Sequence, residues 1–177
     1  DAQAADGGTL GECQPFAAGY TWGPVASADV QLASERASTV PVQIIDDTGS
    51  SFAQSVPASC SGNPPSLNSV TSFAANGVLG VGVRAADCGW RCENYSDNGY
   101  YFSCSAGTCQ GTVVPADGQV TNPVSLFAAN HNGIVVSLPA IPADGTDQVQ
   151  GLLIFGIGTQ DNNALDPGVT VLTTDDS

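Results

Sequence analysis

Residues 22–32 read Trp22-Gly23-Pro24-Val25-Ala26-Ser27-Ala28-Asp29-Val30-Gln31-Leu32, and residues 40–45 read Val40-Pro41-Val42-Gln43-Ile44-Ile45. Both runs interleave apolar with small or polar residues at a spacing of two. That spacing puts one set of side chains on one face of a strand and the other set on the opposite face. The first run follows a turn. The Pro41 ring removes a ladder donor and marks a strand start or an edge. Ser34-Glu35-Arg36 sits near the connection, so the two runs form a hairpin. The rest of the chain repeats the theme. With 21 Gly and 11 Pro, it is broken into short apolar runs between turn residues, and helical periodicity is almost absent. The pattern predicts an all-β fold of packed antiparallel sheets with one or two short helices and disulfide-stapled loops.

Further strands are expected at 134–138 (Ile134-Val135-Val136-Ser137-Leu138), at 151–156 (Gly151-Leu152-Leu153-Ile154-Phe155-Gly156) and near 169–172. Asn122 as cap and Pro123 in the first turn predict a short helix at 123–129. Residues 46–69 read as loop. The apolar segment Asn76-Gly77-Val78-Leu79-Gly80-Val81-Gly82, bounded by glycines, reads as buried. Residues 1–177 form one domain, large enough for a real core. Residues 1–12 are expected to be a flexible N-terminal segment, and 84–112 a Cys-rich surface excursion.

Charge narrows the partners. The chain has no Lys; Arg36, Arg84 and Arg91 stand against 17 acids, a formal net charge of -14. Such a surface repels phosphate backbones and anionic membranes, so no nucleic-acid partner is expected. No apolar run approaches the ~20 residues of a membrane span. Six cysteines, Cys13, Cys60, Cys88, Cys92, Cys104 and Cys109, point to an oxidising compartment and thus to a secreted, extracellular or periplasmic protein. Six cysteines admit about 15 pairings. The expected set is Cys13–Cys60 with two bridges inside 88–109. A zinc cluster on four of these cysteines is the competing reading, but Cys88-x3-Cys92 and Cys104-x4-Cys109 are loosely spaced and the one His, His131, lies far along the chain. No metal and no cofactor is assigned.

His131, flanked by Asn130, Asn132 and Gly133, reads as a turn residue before a strand, because no motif marks a nucleophile for it. Asp161-Asn162-Asn163 with Asp166 clusters oxygens in a loop but lacks the regular ligand spacing of a calcium loop, so it reads as a turn. Trp90, Tyr95, Tyr100, Tyr101 and Phe102 surround the excursion and are expected to pack against its disulfides.

Residues 47–51, Asp47-Thr48-Gly49-Ser50-Ser51, resemble an aspartic-peptidase active-site loop. The chemistry of such loops needs two carboxylates about 3 Å apart that share one proton and so supply an acid and a base together. The other reading of Asp47-Thr48-Gly49 is an Asx/Gly turn between strands. The order of elements around it is similar to the amino-terminal lobe of pepsin-like aspartic peptidases. Residues 23–32 look like that family's flap strand, and Asn76-Gly77-Val78-Leu79-Gly80-Val81-Gly82 like the segment that threads beside the active loop. The combination of Trp22-Gly23-Pro24-Val25, Asn122-Pro123-Val124 and residues 155–163 looks still more like an uncharacterised family of secreted bacterial proteins with a pepsin-like fold, this chain matching the piece between the two catalytic loops.

The resemblance implies a catalytic role for Asp47, a flap-like role for Phe16, Gly19, Tyr20 and Gly23, and a place beside the active loop for Val78, Leu79 and Gly80. It covers about residues 13–165. The chain holds one Asp-Thr/Ser-Gly, so an active aspartic endopeptidase needs a second Asp from another lobe or subunit. The implied function is therefore an aspartic-peptidase-like domain that is not catalytically self-sufficient, with a peptide or protein as its partner. The alternative is an extracellular structural or binding module that self-associates through an open sheet edge.

Overall fold

The computed structural model describes residues 1–45, 55–62 and 65–172. The fold is all-β. Strands β1 (Thr9–Phe16), β2 (Gly19–Leu32), β3 (Glu35–Gln43), β4 (Tyr101–Ser105) and β5 (Thr108–Gly111) form one antiparallel sheet in the order β3-β2-β1-β4-β5. A separate ribbon pairs β6 (Ile134–Ser137) with β7 (Leu152–Phe155). The expected hairpin is present as β2–β3, turning at Ala33-Ser34 with Ala33 at φ 52°. One irregularity falls between Ala28 and Val30. There Asp29 accepts the Thr39 N–H at 3.2 Å and pairs with Arg36 at 3.6 Å. Both side chains of that ion pair are more than half exposed, so it contributes little stability.

Strand alternation divides the core into two faces. Cys13 on β1, Tyr20 and Trp22 on β2, and Phe102 and Cys104 on β4 pack with Cys60 on one side. Trp22 meets Phe102 edge-on, with ring centroids 5.5 Å apart. Leu10, Val25 and Tyr101 face the other way and pack with Cys88, Cys92 and Val114. A third cluster joins Ala37 and Val40 of β3 to Val124 and Phe127, with Ile134 and Phe155 of the ribbon against it.

The disulfides are Cys13–Cys60, Cys88–Cys92 and Cys104–Cys109, which fulfils the expected pairing and leaves no cysteine free. Short helices do occur: α1 (Ala58–Ser61) lies in the stretch read as loop, α2 (Val70–Phe73) follows directly after it, and α3 (Trp90–Asn94) lies in the excursion. The helix expected at 123–129 is a shorter 3₁₀ turn at Pro123–Leu126. The Asn122 side chain caps it by accepting from Val124 N, and Phe127 turns extended (ψ 147°) to enter the core.

Four expectations are corrected. The segment 1–12 is not a loose end: its last four residues begin the central strand β1, and Ala2 is tied in by its N–H to Val25 O at 2.7 Å and its carbonyl to Leu10 N at 2.9 Å. The excursion 84–112 is half core, because β4 carries Tyr101 and Phe102 into both packed faces. Residues 76–82 are not buried; Val78 is 63% and Leu79 42% exposed. Residues 169–172 carry no strand.

Candidate functional site

On β1, the even positions Leu10, Glu12, Gln14 and Phe16 share one face. Leu10 fills the core, while the next three line a cavity of about 510 Å³. Its walls include Thr21 of β2, Gln43 of β3, Ile44 and Ile45 beyond it, and Val78 and Gly80 of the apolar segment. Gln43 knits the wall: its Oε1 accepts from Thr21 Oγ1 at 2.6 Å and its Nε2 donates to Glu12 O at 2.8 Å. Gly23 allows the wall to close. A Cβ there would lie 1.8 Å from Ile44 O, so only glycine lets the chain just after β3 run this close to β2.

Asp87 reaches the same cavity from outside the sheet. Its N–H donates to Val120 O at 3.1 Å, and the neighbouring bridge Cys88–Cys92 fixes the chain that follows. Tyr101 sits opposite Glu12 in the β1–β4 register. Its hydroxyl donates to Asp87 Oδ1 at 2.7 Å and accepts from Val120 N at 2.7 Å.

The two carboxyls meet here. Glu12 is 1% exposed. Its Oε2 and Asp87 Oδ2 are buried, and neither meets a hydrogen-bond donor among the described residues. Two bare carboxylates offer acceptors alone, and a proton held on Glu12 would relieve the conflict. Burial raises the Glu12 pKa well above its ordinary value, and the hydrogen bond to Asp87 and the Asp87 charge push it the same way. Tyr101 is held neutral far into the alkaline range, first by burial and then by the charges of Glu12 and Asp87. A carboxyl pair sharing one proton can act as an acid and a base, or exchange its proton for a cation.

A second cavity of about 480 Å³ adjoins the first, and Val78, Gly80, Asp87 and Val120 border both. Of the residues expected at a site, Phe16, Val78 and Gly80 come together around the first cavity, and Leu79 lines the second. Gly19, Tyr20 and Gly23 do not form a cover. Tyr20 is buried on the opposite face with Cys13 and Cys60, and Gly19 is pressed against Pro65 O, 2.3 Å from where its Cβ would stand. Asp47 and its loop lie outside the described residues; Ile44 and Ile45, which lead into them, line the cavity.

His131 lies in the turn before β6 and borders a third cavity. The Asn163 side chain is occupied by its own loop, accepting from Thr159 N and Gln160 N and donating to Phe155 O. Trp90 and Tyr95 stack on each other edge-on, 5.4 Å apart, on the surface. Among the described residues, no three His, Cys, Asp or Glu side chains gather into a metal-binding group.

Glu12 and Asp87 escaped the sequence reading. For Glu12 a signal existed: the alternation Leu10-x-Glu12-x-Gln14-x-Phe16 places an acid between two apolar residues on one face. Asp87, beside Cys88 in a loop, carries no such pattern.

The fold and site define an all-β, disulfide-stapled domain in which two carboxyl side chains, Glu12 and Asp87, line one cavity. The chain belongs to the family described as protein of unknown function (DUF3443), whose family model matches residues 1–177. No curated protein and no solved structure matches it significantly. Among the described residues, no helix is long and apolar enough to cross a membrane.

Proposed function

We propose that the chain is a secreted, aspartic-peptidase-like domain whose cavity receives a peptide, and that it does not cleave peptides by itself. The observation that carries this reading is the convergence of Phe16, Val78 and Gly80 with Ile44 and Ile45 on one cavity. Phe16, Val78 and Gly80 are among the residues that the family resemblance sets around a substrate cleft, and in sequence residues 44–45 lead to Asp47. A cavity of that size lies within the range of about 300–1,000 Å³ typical of ligand pockets. The three disulfides suit an oxidising compartment. A single Asp-Thr/Ser-Gly supplies half of the carboxylate pair, so Asp47 works only beside a second Asp from another lobe or subunit.

The test is a peptide-binding titration on the full chain followed by NMR, with a cleavage assay at acid pH in the presence and absence of pepstatin. Binding is expected to shift the signals of Phe16 and Val78 without cleavage. Absence of peptide binding overturns the reading, and so does cleavage that persists in Asp47→Asn.

A second reading rests on the β6–β7 ribbon, in which Val136 and Leu152 are 61% and 65% exposed and Leu138, just beyond β6, is 63% exposed. An isolated two-stranded ribbon is marginal in water, and an apolar one favours strand addition from a second copy. Sedimentation of the full chain separates the two: a concentration-dependent assembly that Val136→Lys dissolves favours the structural module.

A further inference from the structure

We infer that the part of the 510 Å³ cavity lined by Glu12 and Asp87 is a subsite for a basic side chain: a guanidinium or ammonium group on an aliphatic stem. This deepens the peptide-binding reading and rests on it.

The first argument is the shortage of donors at the two carboxyls. Glu12 Oε2 and Asp87 Oδ2 are buried in side chains that line the same cavity, and apart from a proton held on Glu12 no donor among the described residues reaches either. Leaving buried acceptors unmade is costly. A guanidinium or ammonium presents several N–H donors to such acceptors. Second, the walls suit the rest of such a side chain. Phe16, Ile44, Val78 and Val120, which line the same cavity as the two carboxyls, offer apolar surface to a methylene stem. Third, among the described residues no Arg lines this cavity, and the chain as a whole carries a net charge of -14, which concentrates cations near its surface.

The titratable groups facing Glu12 are Asp87 and Tyr101. Arg84 borders the adjoining cavity that Asp87 also lines. Binding exchanges one cation for another. The Glu12 O–H bond breaks, its proton passes to solvent, and the carboxylate left behind accepts the ligand's N–H groups. Affinity therefore rises with pH, because the proton that Glu12 holds above its ordinary range competes with the ligand.

The experiment is calorimetric titration of the full chain with two probes, N-acetyl-arginine N-methylamide and its norleucine counterpart, at about pH 5 and about pH 8 in buffers of different ionisation heat. The arginine probe is expected to bind about tenfold more tightly than the norleucine probe at the higher pH. It is also expected to release up to about one proton as it binds. Glu12→Gln and, independently, Asp87→Asn should each erase the preference while norleucine binding stays. Equal binding of the two probes overturns the inference and leaves the peptide cleft standing, as does a preference that survives both variants. If neither probe binds, both readings fall.

Discussion

The Tyr101 hydroxyl joins two parts of the chain that the sheet alone does not connect: it donates to Asp87 Oδ1 and accepts from Val120 N, each at 2.7 Å. Tyr101 is 0% exposed and stands opposite Glu12 across β1–β4. One side chain thus orients an acid of the cavity lining and closes the loop that carries Val120. A buried phenol with both donor and acceptor engaged is a rigid anchor.

Tyr101→Phe should destabilise the fold by about 1–3 kcal/mol, because Val120 N loses its acceptor and Asp87 its donor while the ring packing is kept. Urea unfolding of the two proteins at neutral pH measures this. A loss near zero would mean that water replaces the hydroxyl without cost.

Glu12 gives stability a pH dependence of definite sign. In the unfolded chain it titrates near the ordinary Glu value of 4.5; in the folded protein its pKa lies well above that. Between those two values the folded state holds a proton that the unfolded state has released. Its contribution is fully present below the ordinary value and is lost as pH rises through the folded value. Wild-type stability should therefore fall across that window. Repulsion among the 17 acids acts in the same direction, so the diagnostic is the difference from Glu12→Gln. That variant should show a flatter profile and exceed wild type on the alkaline side. Parallel profiles would remove Glu12 as the source.

The β2–β3 hairpin was legible because apolar and polar residues alternate on either side of the irregularity between Ala28 and Val30, and turn residues separate its strands. Strand β1 was not, although it is central. Thr9-Leu10-Gly11-Glu12-Cys13-Gln14-Pro15-Phe16 puts an acid and an amide at inward positions and carries a Gly and a Pro. Pro15 is tolerated because β4 pairs β1 only over 9–12, so its missing N–H falls beyond that ladder. The inward Glu12 and Gln14 line a cavity rather than a packed core. The feature that hid the strand is thus the one that makes the site.

The segment 76–82 misled in the opposite sense. Its apolar run is that of a buried strand, yet Val78 and Leu79 form cavity walls and face solvent. Apolarity alone does not separate the two cases. Strand β4 was missed for a third reason. Asn98 holds its entry from outside the ladder, accepting from Tyr100 N and Tyr101 N and donating to Tyr95 O and Thr112 O, and no local pattern announces such a clamp.

Gly23 and Gly77 make a matched pair for testing the cavity wall. A Cβ at Gly23 would overlap Ile44 O at 1.8 Å, whereas one at Gly77 meets nothing within 4 Å. Gly23→Ala should cost about 1–3 kcal/mol by forcing residue 44 away from β2. Gly77→Ala should stay within about 0.5 kcal/mol of wild type. Thermal unfolding of both variants checks this. Because Ile44 lines the cavity, Gly23→Ala should also weaken peptide binding at matched folded fraction, and unchanged binding would detach the cavity wall from the β2–β3 packing.

The three bridges should differ in what their removal costs. Cys13–Cys60 spans 47 residues, against 4 for Cys88–Cys92 and 5 for Cys104–Cys109. Loop-closure entropy then gives about 4 kcal/mol for the long bridge and about 2 kcal/mol for either short one. Cys13 and Cys60 are also core residues against Tyr20 and Trp22, so replacing both by Ala adds a packing loss, whereas Cys109 lies at the margin of that cluster. The Cys13→Ala/Cys60→Ala double variant should consequently be the least stable of the three double variants by urea unfolding. If Cys88→Ala/Cys92→Ala were worse, the position of Asp87, rather than the closure of the long loop, would be what the bridges chiefly maintain, and that variant should then lose the pH profile attributed to Glu12.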